Sequence, residues 1–292
     1  MHSIIDKNRV AVITGAAKGI GAAAAKRFAQ SGMRLVLFDK DEAALQATAS
    51  RLKQPLNQET QGKIRCITGD VTSAADWQRL HDTVYDEFGE TALLMNNAGI
   101  IAGASPWQDM AAWQRQLAVN LFSIVQAQIT FVPSMLAQTQ ASAVVNLGSK
   151  EGITTPPGNA AYSVAKAGVK VLTEQLAHEL RHQPNSRVSA HLFVPGYTWT
   201  PMNFPDMNAD KPADKPAAPW TAAQLLDYFV QRFEQGDFYI LCPDNEVSPE
   251  LDNLRIQWAA DDLIRNRPAL SRWHADWQMK FNDYIKRGLN HE

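Results

Sequence analysis

Short apolar runs alternate along most of the chain with longer stretches whose apolar positions recur every three or four residues, the pattern of buried strands separated by amphipathic helices. Residues 9–14, 33–38, 64–68, 92–95, 143–147, 187–194 and 238–241 read as strands. Between them the helical period predicts helices from the glycines at 19 and 21 to residue 31, and over 41–52, 73–88, 109–137, 159–181 and 222–233. This alternation predicts an α/β fold, a doubly wound parallel sheet flanked by helices. Its ligands are then expected at one edge, beyond the carboxyl ends of the strands.

The pattern changes after Pro195-Gly196. Residues 200–220 are rich in Pro and Ala with alternating Asp and Lys, and read as a long loop. Its place over the expected site predicts a substrate lid, lined by Trp199, Met202, Phe204, Met207 and Trp220. Ser248-Pro-Glu opens a helix with proline at its first position. Residues 268–286 form another, with Leu270, Trp273, Trp277, Phe281 and Ile285 on one apolar stripe suited to core or subunit contacts. Residues 246–292 are thus a C-terminal helical extension on a single domain covering 1–292.

With 292 residues, 45% hydrophobic and 20% charged, the chain is long enough for one large α/β domain with an appendage. A net charge of -2 with scattered Lys and Arg gives no footprint for nucleic acid. No run approaches the roughly 20 consecutive apolar residues of a membrane span, and residues 1–8 lack the apolar core of a signal peptide, so a cytoplasmic protein without a membrane partner is expected. Cys66 and Cys242 lie in strands, too few for a disulfide framework or a zinc cluster, and read as small buried hydrophobes.

Chemistry enters at the first strand-to-helix turn. Thr14-Gly15-x-x-Lys18-Gly19-Ile20-Gly21 brings backbone N–H groups and the positive end of a helix together with few side chains in the way, which suits a pyrophosphate. The spacing departs from G-x-G-x-x-G, and such glycines can also be plain turn formers. Asp39 ends the second strand, where a carboxylate can hold both adenosine ribose hydroxyls and repel a 2′-phosphate. NAD is therefore expected over NADP, although Lys18 and Lys40 are cations that could tolerate the phosphate; Asp39 could instead only cap the next helix. Asp70-Val71 follow the third strand, and Asn96-Asn97-Ala98-Gly99 place small and amide residues after the fourth. Asn120 stands mid-helix among apolar residues, either buried with partners or working. Ser149 follows the fifth strand. Tyr162 and Lys166 lie one turn apart on a helix face, and a cation within ~4–6 Å favours the phenolate of a tyrosine whose ordinary pKa is near ~10. Such a pair makes a general acid/base.

In order and spacing, the glycine turn, Asn96-Asn97-Ala98-Gly99, Asn120, Ser149, Tyr162-x-x-x-Lys166 and Pro195-Gly196-Tyr-Thr198 resemble the short-chain dehydrogenase/reductase family over residues 8–200. The resemblance implies a single Rossmann-type domain with about seven parallel strands, commonly a dimer or tetramer. It puts Gly15, Lys18, Gly19, Ile20, Gly21, Asp39, Asp70, Val71, Asn97, Gly99, Lys166, Pro195, Gly196 and Thr198 on a nicotinamide dinucleotide. Asn120, Ser149, Tyr162 and Lys166 match the family's catalytic tetrad. Tyr162 would exchange the proton, Lys166 would hold the nicotinamide ribose and lower the tyrosine pKa, and Ser149 would donate to the carbonyl oxygen. By the same resemblance Asn120 holds a water that links Lys166 to solvent.

The expected function is hydride transfer between NAD and a secondary alcohol or ketone, partly apolar if the lid lining is real. The alternative is a catalytically idle dinucleotide-binding module. Many family members end soon after the last strand; the extension here predicts a homo-oligomer, a dimer rather than the usual tetramer. His178-Glu179-x-x-His182 matches the H-E-x-x-H pattern of zinc hydrolases. A catalytic zinc needs a third ligand, and His191 in the next strand has no spacing to recommend it, so no metal is expected.

Overall fold

The computed structural model describes residues 4–53, 64–207 and 214–290. In chain order its main strands and helices are β1 (Val10–Thr14), α1 (Gly19–Gln30), β2 (Arg34–Asp39), α2 (Glu42–Lys53), β3 (Ile64–Thr68), α3 (Ala74–Phe88) and β4 (Leu93–Asn96). There follow α4 (Met110–Leu117), α5 (Ser123–Ala137), β5 (Ser142–Leu147), the short α6 (Glu151–Thr154), α7 (Ala160–His182) and β6 (Val188–Val194). The chain closes with β7 (Thr198–Trp199), β8 (Trp220–Thr221), α8 (Ala222–Glu234), β9 (Tyr239–Leu241), α9 (Pro249–Ile264) and α10 (Ala275–Leu289). Seven strands pair in the order β3-β2-β1-β4-β5-β6-β9, and every pairing is parallel.

Both faces of the sheet are covered, which is why the strands read as apolar runs without polar alternation. Ala11, Ile13, Leu35 and Leu37 point into one core with Phe28 of α1 and Phe229 of α8. Val10, Val12, Val36 and Phe38 point into the other with Trp77 of α3, Phe131 of α5 and Leu180 of α7. β1 has β2 on one side and β4 on the other, so the chain leaves these neighbouring strands in opposite directions. The crevice between their carboxyl ends is the natural ligand position.

Two readings of the sequence need correction. The predicted helix 109–137 is interrupted by a π-helical turn, Ala118–Phe122, with Asn120 at its centre. Apolar residues on both sides hide this from periodicity, because an inserted residue alters the hydrogen-bond ladder locally and not the composition. By length and composition 110–137 could cross a bilayer, a signal that a search for unbroken apolar runs misses. Here Ala127, Phe131 and Met135 pack it against the sheet.

The predicted helix 268–286 is also broken. Leu270 takes a left-handed φ of 55°, Ser271–Trp273 form a single 3-10 turn, and His274 caps α10 by accepting from the Asp276 N–H. The expected stripe is therefore split. Trp277 and Phe281 pack with Tyr284 around Trp258 of α9, while Leu270 and Trp273 remain 39% and 38% exposed.

Candidate functional site

A groove of about 430 Å³ opens at the switch point, walled by Gly15, Lys18, Gly19, Ile20, Asp39, Asn97 and Gly99, with Leu147 at its inner end. α1 starts at Gly19 behind an extended Lys18 with no side-chain cap, so its first N–H groups face the groove without a protein acceptor from the cap. Gly21 allows the turn to close: a Cβ there would lie 2.2 Å from the Gly15 carbonyl oxygen and 2.6 Å from Asn97 Nδ2. Asn97 itself works behind the groove, donating from Nδ2 to the Thr14 and Gly15 carbonyls at 2.9 and 3.1 Å. These residues fit a pyrophosphate, with a helix N-terminus and a cradle that side chains would fill.

Asp39 is held in place, accepting from the Ala17 and Asp41 N–H groups at 3.0 Å each. Beyond it a smaller cleft of about 100 Å³ is lined by Asp70 and Val71 together with Lys40 and Gly69. Lys18 is committed elsewhere: its ammonium pairs with Asp41 at 2.7 Å, which also holds the Asp41 carboxyl below the usual range.

Tyr162, Lys166 and Ser149 converge. Tyr162 and Lys166 are buried on α7 at 8% and 3% exposure, and the Ser149 hydroxyl lies close enough to the phenol to favour its ionised form. Lys166 Nζ donates to the Leu147 carbonyl at 2.8 Å and sits 5.7 Å from the centre of the Tyr162 ring. The Asn120 amide is fully buried. It accepts from the Ile100 N–H at 2.8 Å and donates to the Ile100 carbonyl at 2.9 Å, so its side chain fixes the strand-β4 loop.

Within the protein alone, burial works against an acidic phenol. Burial pushes Tyr162 up to about 12, opposed by the Ser149 hydrogen bond and reinforced by the negative charge of Glu151. Burial also pushes Lys166 down to about 8. Desolvation outweighs the attraction between the pair because both groups are withdrawn from water at once. At neutral pH the site holds a protonated phenol.

Pro195, Gly196 and Thr198 are not among the groove walls. Thr198 is drawn into the small β7–β8 ladder and donates to the Gly196 carbonyl at 2.8 Å. Of the expected lid, residues 208–213 lie outside the described residues. Thr200, Pro201 and Met202 do close the groove. Phe204 stacks on Tyr197, and Trp220 packs on Tyr228 and donates to Asn245, so neither lines it.

Two features escaped the sequence. Gly152 lets α6 cross α7 closely, since a Cβ there would lie 2.4 Å from the Lys166 carbonyl carbon. Lys150, next to Ser149, pairs with buried Asp252 of α9 at 2.5 Å and approaches Asp244 at 4.0 Å. Asp244 also accepts from the Tyr197 N–H at 3.0 Å, tying the extension to both loops beside the site. Ser149-Lys-Glu-Gly was visible as a polar run, but the partners lie far along the chain.

Among the described residues the zinc motif does not converge on a third ligand. His178 and His182 stack on each other, while His191 is engaged by Ser189 and the Asp237 carbonyl at 2.9 and 2.7 Å.

The profile of the family described as short chain dehydrogenase matches residues 9–211. This chain belongs to that family. It is 29% identical over 215 residues to the CLA biosynthesis dehydrogenase/reductase of Lactiplantibacillus plantarum, covering 73% of each chain. It is 32% identical over 213 residues to 3beta-hydroxysteroid dehydrogenase 1 of Eggerthella lenta, covering 72% of this chain and 77% of that one. A short chain dehydrogenase/reductase of Burkholderia phymatum, solved in complex with NAD, superposes with a TM-score of 0.79 at 27% identity, covering 91% of this chain and 97% of that one. Family and fold together make this chain a dinucleotide-binding oxidoreductase.

Proposed function

We propose that this dehydrogenase transfers a hydride between NAD and a secondary alcohol or ketone, with Tyr162 exchanging the proton at the substrate oxygen. The reading rests on one observation: the Tyr162 phenol beside the Ser149 hydroxyl, with Lys166 a helical turn away and bonded to Leu147 at the inner end of the groove. When bound, the nicotinamide supplies or accepts the hydride, and its oxidised ring adds a positive charge that favours the phenolate. The protein's part is positional and electrostatic. Ser149 donates a hydrogen bond to the substrate oxygen, which is worth more as charge gathers there. Tyr162, protonated at neutral pH, gives its proton to that oxygen in reduction and recovers it in oxidation. Lys166 orients the ribose and holds a positive charge near the phenol.

Asp39 favours NAD because its fixed carboxylate faces the groove where the adenosine ribose would lie. Asp39→Ser is expected to raise the KM for NAD roughly tenfold or more and to lower that for NADP. Steady-state kinetics with both cofactors measure this; an unchanged preference would remove Asp39 from cofactor selection.

A bulky, partly apolar substrate is supported by Ile100, Ile101 and Met202 along the outer wall, and by the relative named for a hydroxysteroid. Nicotinamide absorbance during incubation with a panel of such alcohols and ketones tests the whole reading. Tight cofactor binding with no turnover across the panel would favour an idle binding module.

A further inference from the structure

A second cavity, of about 500 Å³, lies between α6 and the C-terminal extension and shares no lining residue with the dinucleotide groove. Its walls combine apolar surface, including Trp258, Trp273 and Leu270, with three arginines and one carboxylate: Arg255 and Asp262 on α9, and Arg267 and Arg272 in the turn before α10. Arg267 is held by two carboxylates, and the other two arginines are not. Arg267 is nine-tenths buried, stacked 4.3 Å over Trp258, and reaches Asp261 at 3.4 Å, yet its Nη1 makes no hydrogen bond. Asp262 stands 3.8 Å from that Nη1 but is engaged by the Ser271 hydroxyl and N–H. The buried Nε of Arg255 is also without a partner.

Among the described residues neither Arg255 nor Arg272 has a carboxylate within ion-pair distance; Asp252, on the same helix as Arg255, is taken by Lys150. Arg272 stacks on Trp273 and Phe281 at 4.7 and 5.2 Å. Burial, and after it the neighbouring Arg255 charge, push its guanidinium down to about 10, and the more distant Asp252 carboxylate offsets only part of this.

Arg255 and Arg272 thus line the cavity with no carboxylate at ion-pair distance, and a planar guanidinium fork matches a carboxylate in bidentate geometry. The space far exceeds a bare oxyanion, and the indole walls offer nothing to a polar body. We propose that this cavity binds an organic carboxylate with an aromatic or aliphatic body, the carboxylate held by Arg255, Arg267 and Arg272 and the body against Trp258 and Trp273. The cavity shares no lining residue with the dinucleotide groove, so the proposal does not rest on the oxidoreductase reading.

The test uses the full chain and its tryptophan fluorescence, titrated with phenylbutyrate, octanoate and naphthylacetate, and with phenylbutyrate methyl ester, acetate and inorganic phosphate as controls. At least one of the three carboxylates is expected to bind saturably, with the ester, acetate and phosphate at least tenfold weaker. Saturating NADH should leave that affinity unchanged. The double variant Arg255→Gln, Arg272→Gln should weaken it tenfold or more. The proposal is overturned if none of the three binds, if the ester or phosphate binds as well, or if NADH displaces the ligand. Undiminished binding by the folded double variant would also overturn it; should that variant not fold, the comparisons on the unaltered chain decide alone.

Discussion

Tyr162→Phe is expected to lower kcat about a thousandfold while leaving dinucleotide affinity within about twofold. The substitution removes one hydroxyl from a buried ring, keeps the packing of α7, and takes away the phenolic proton donor beside Ser149. Because burial raises the phenol to about 12, the wild-type protein holds the proton throughout the neutral range. Ketone reduction, which needs the phenol, should then vary little around neutrality. Alcohol oxidation needs the phenolate, whose population grows as pH rises toward the pKa, so its kcat/KM should climb through the alkaline range. Stopped-time assays in both directions measure this. A variant with near wild-type turnover, or oxidation that falls as pH rises from neutrality, would contradict the role given to Tyr162.

Lys166→Met is expected to cost a hundredfold or more in turnover and yet leave the fold no less stable at neutral pH. Lys166 is 3% exposed and makes one hydrogen bond, to Leu147. Burial lowers its pKa from 10.5 to about 8, so the folded state disfavours the cation, at a cost of about 3 kcal/mol below pH 8. Between about pH 8 and the unfolded value near 10.5 the unfolded chain binds the proton more readily, and stability should rise with pH. The methionine variant should lack that rise, while losing the Leu147 bond offsets part of its gain by roughly 1–3 kcal/mol. Urea denaturation near neutrality and near pH 10 separates these outcomes. A variant several kcal/mol less stable at neutral pH would show that the ammonium is structurally required. A stabilising change that removes activity is the expected mark of a group kept for chemistry.

The seven strands were legible because each is a continuous apolar run in a sheet covered on both faces, and the switch point follows from their alternation with helices. The glycine turn, Asp39 and the Tyr162 pair were legible because local spacing alone sets their geometry. What stayed hidden depends on contacts between distant segments. The Asn120 side chain at the π turn is held by the Ile100 backbone, twenty positions earlier. The protonation state of Tyr162 depends on how deeply α7 is buried, which no i, i+4 spacing states. The break at His274 turns on backbone conformation at Leu270 and on a cap, both invisible to a stripe count. Trp220, expected over the site, is held away by Tyr228 and Asn245.

The central claim is that a proton and a hydride meet at one carbon–oxygen bond beside Tyr162. Incubating the protein with NADH deuterated at C4 and a ketone from the active panel, then weighing the alcohol by mass spectrometry, follows the hydride itself. The account predicts one deuterium on the carbinol carbon, formed stereospecifically and at a rate that collapses in Tyr162→Phe. Alcohol without deuterium, or labelled alcohol made as fast without the Tyr162 hydroxyl, would contradict it.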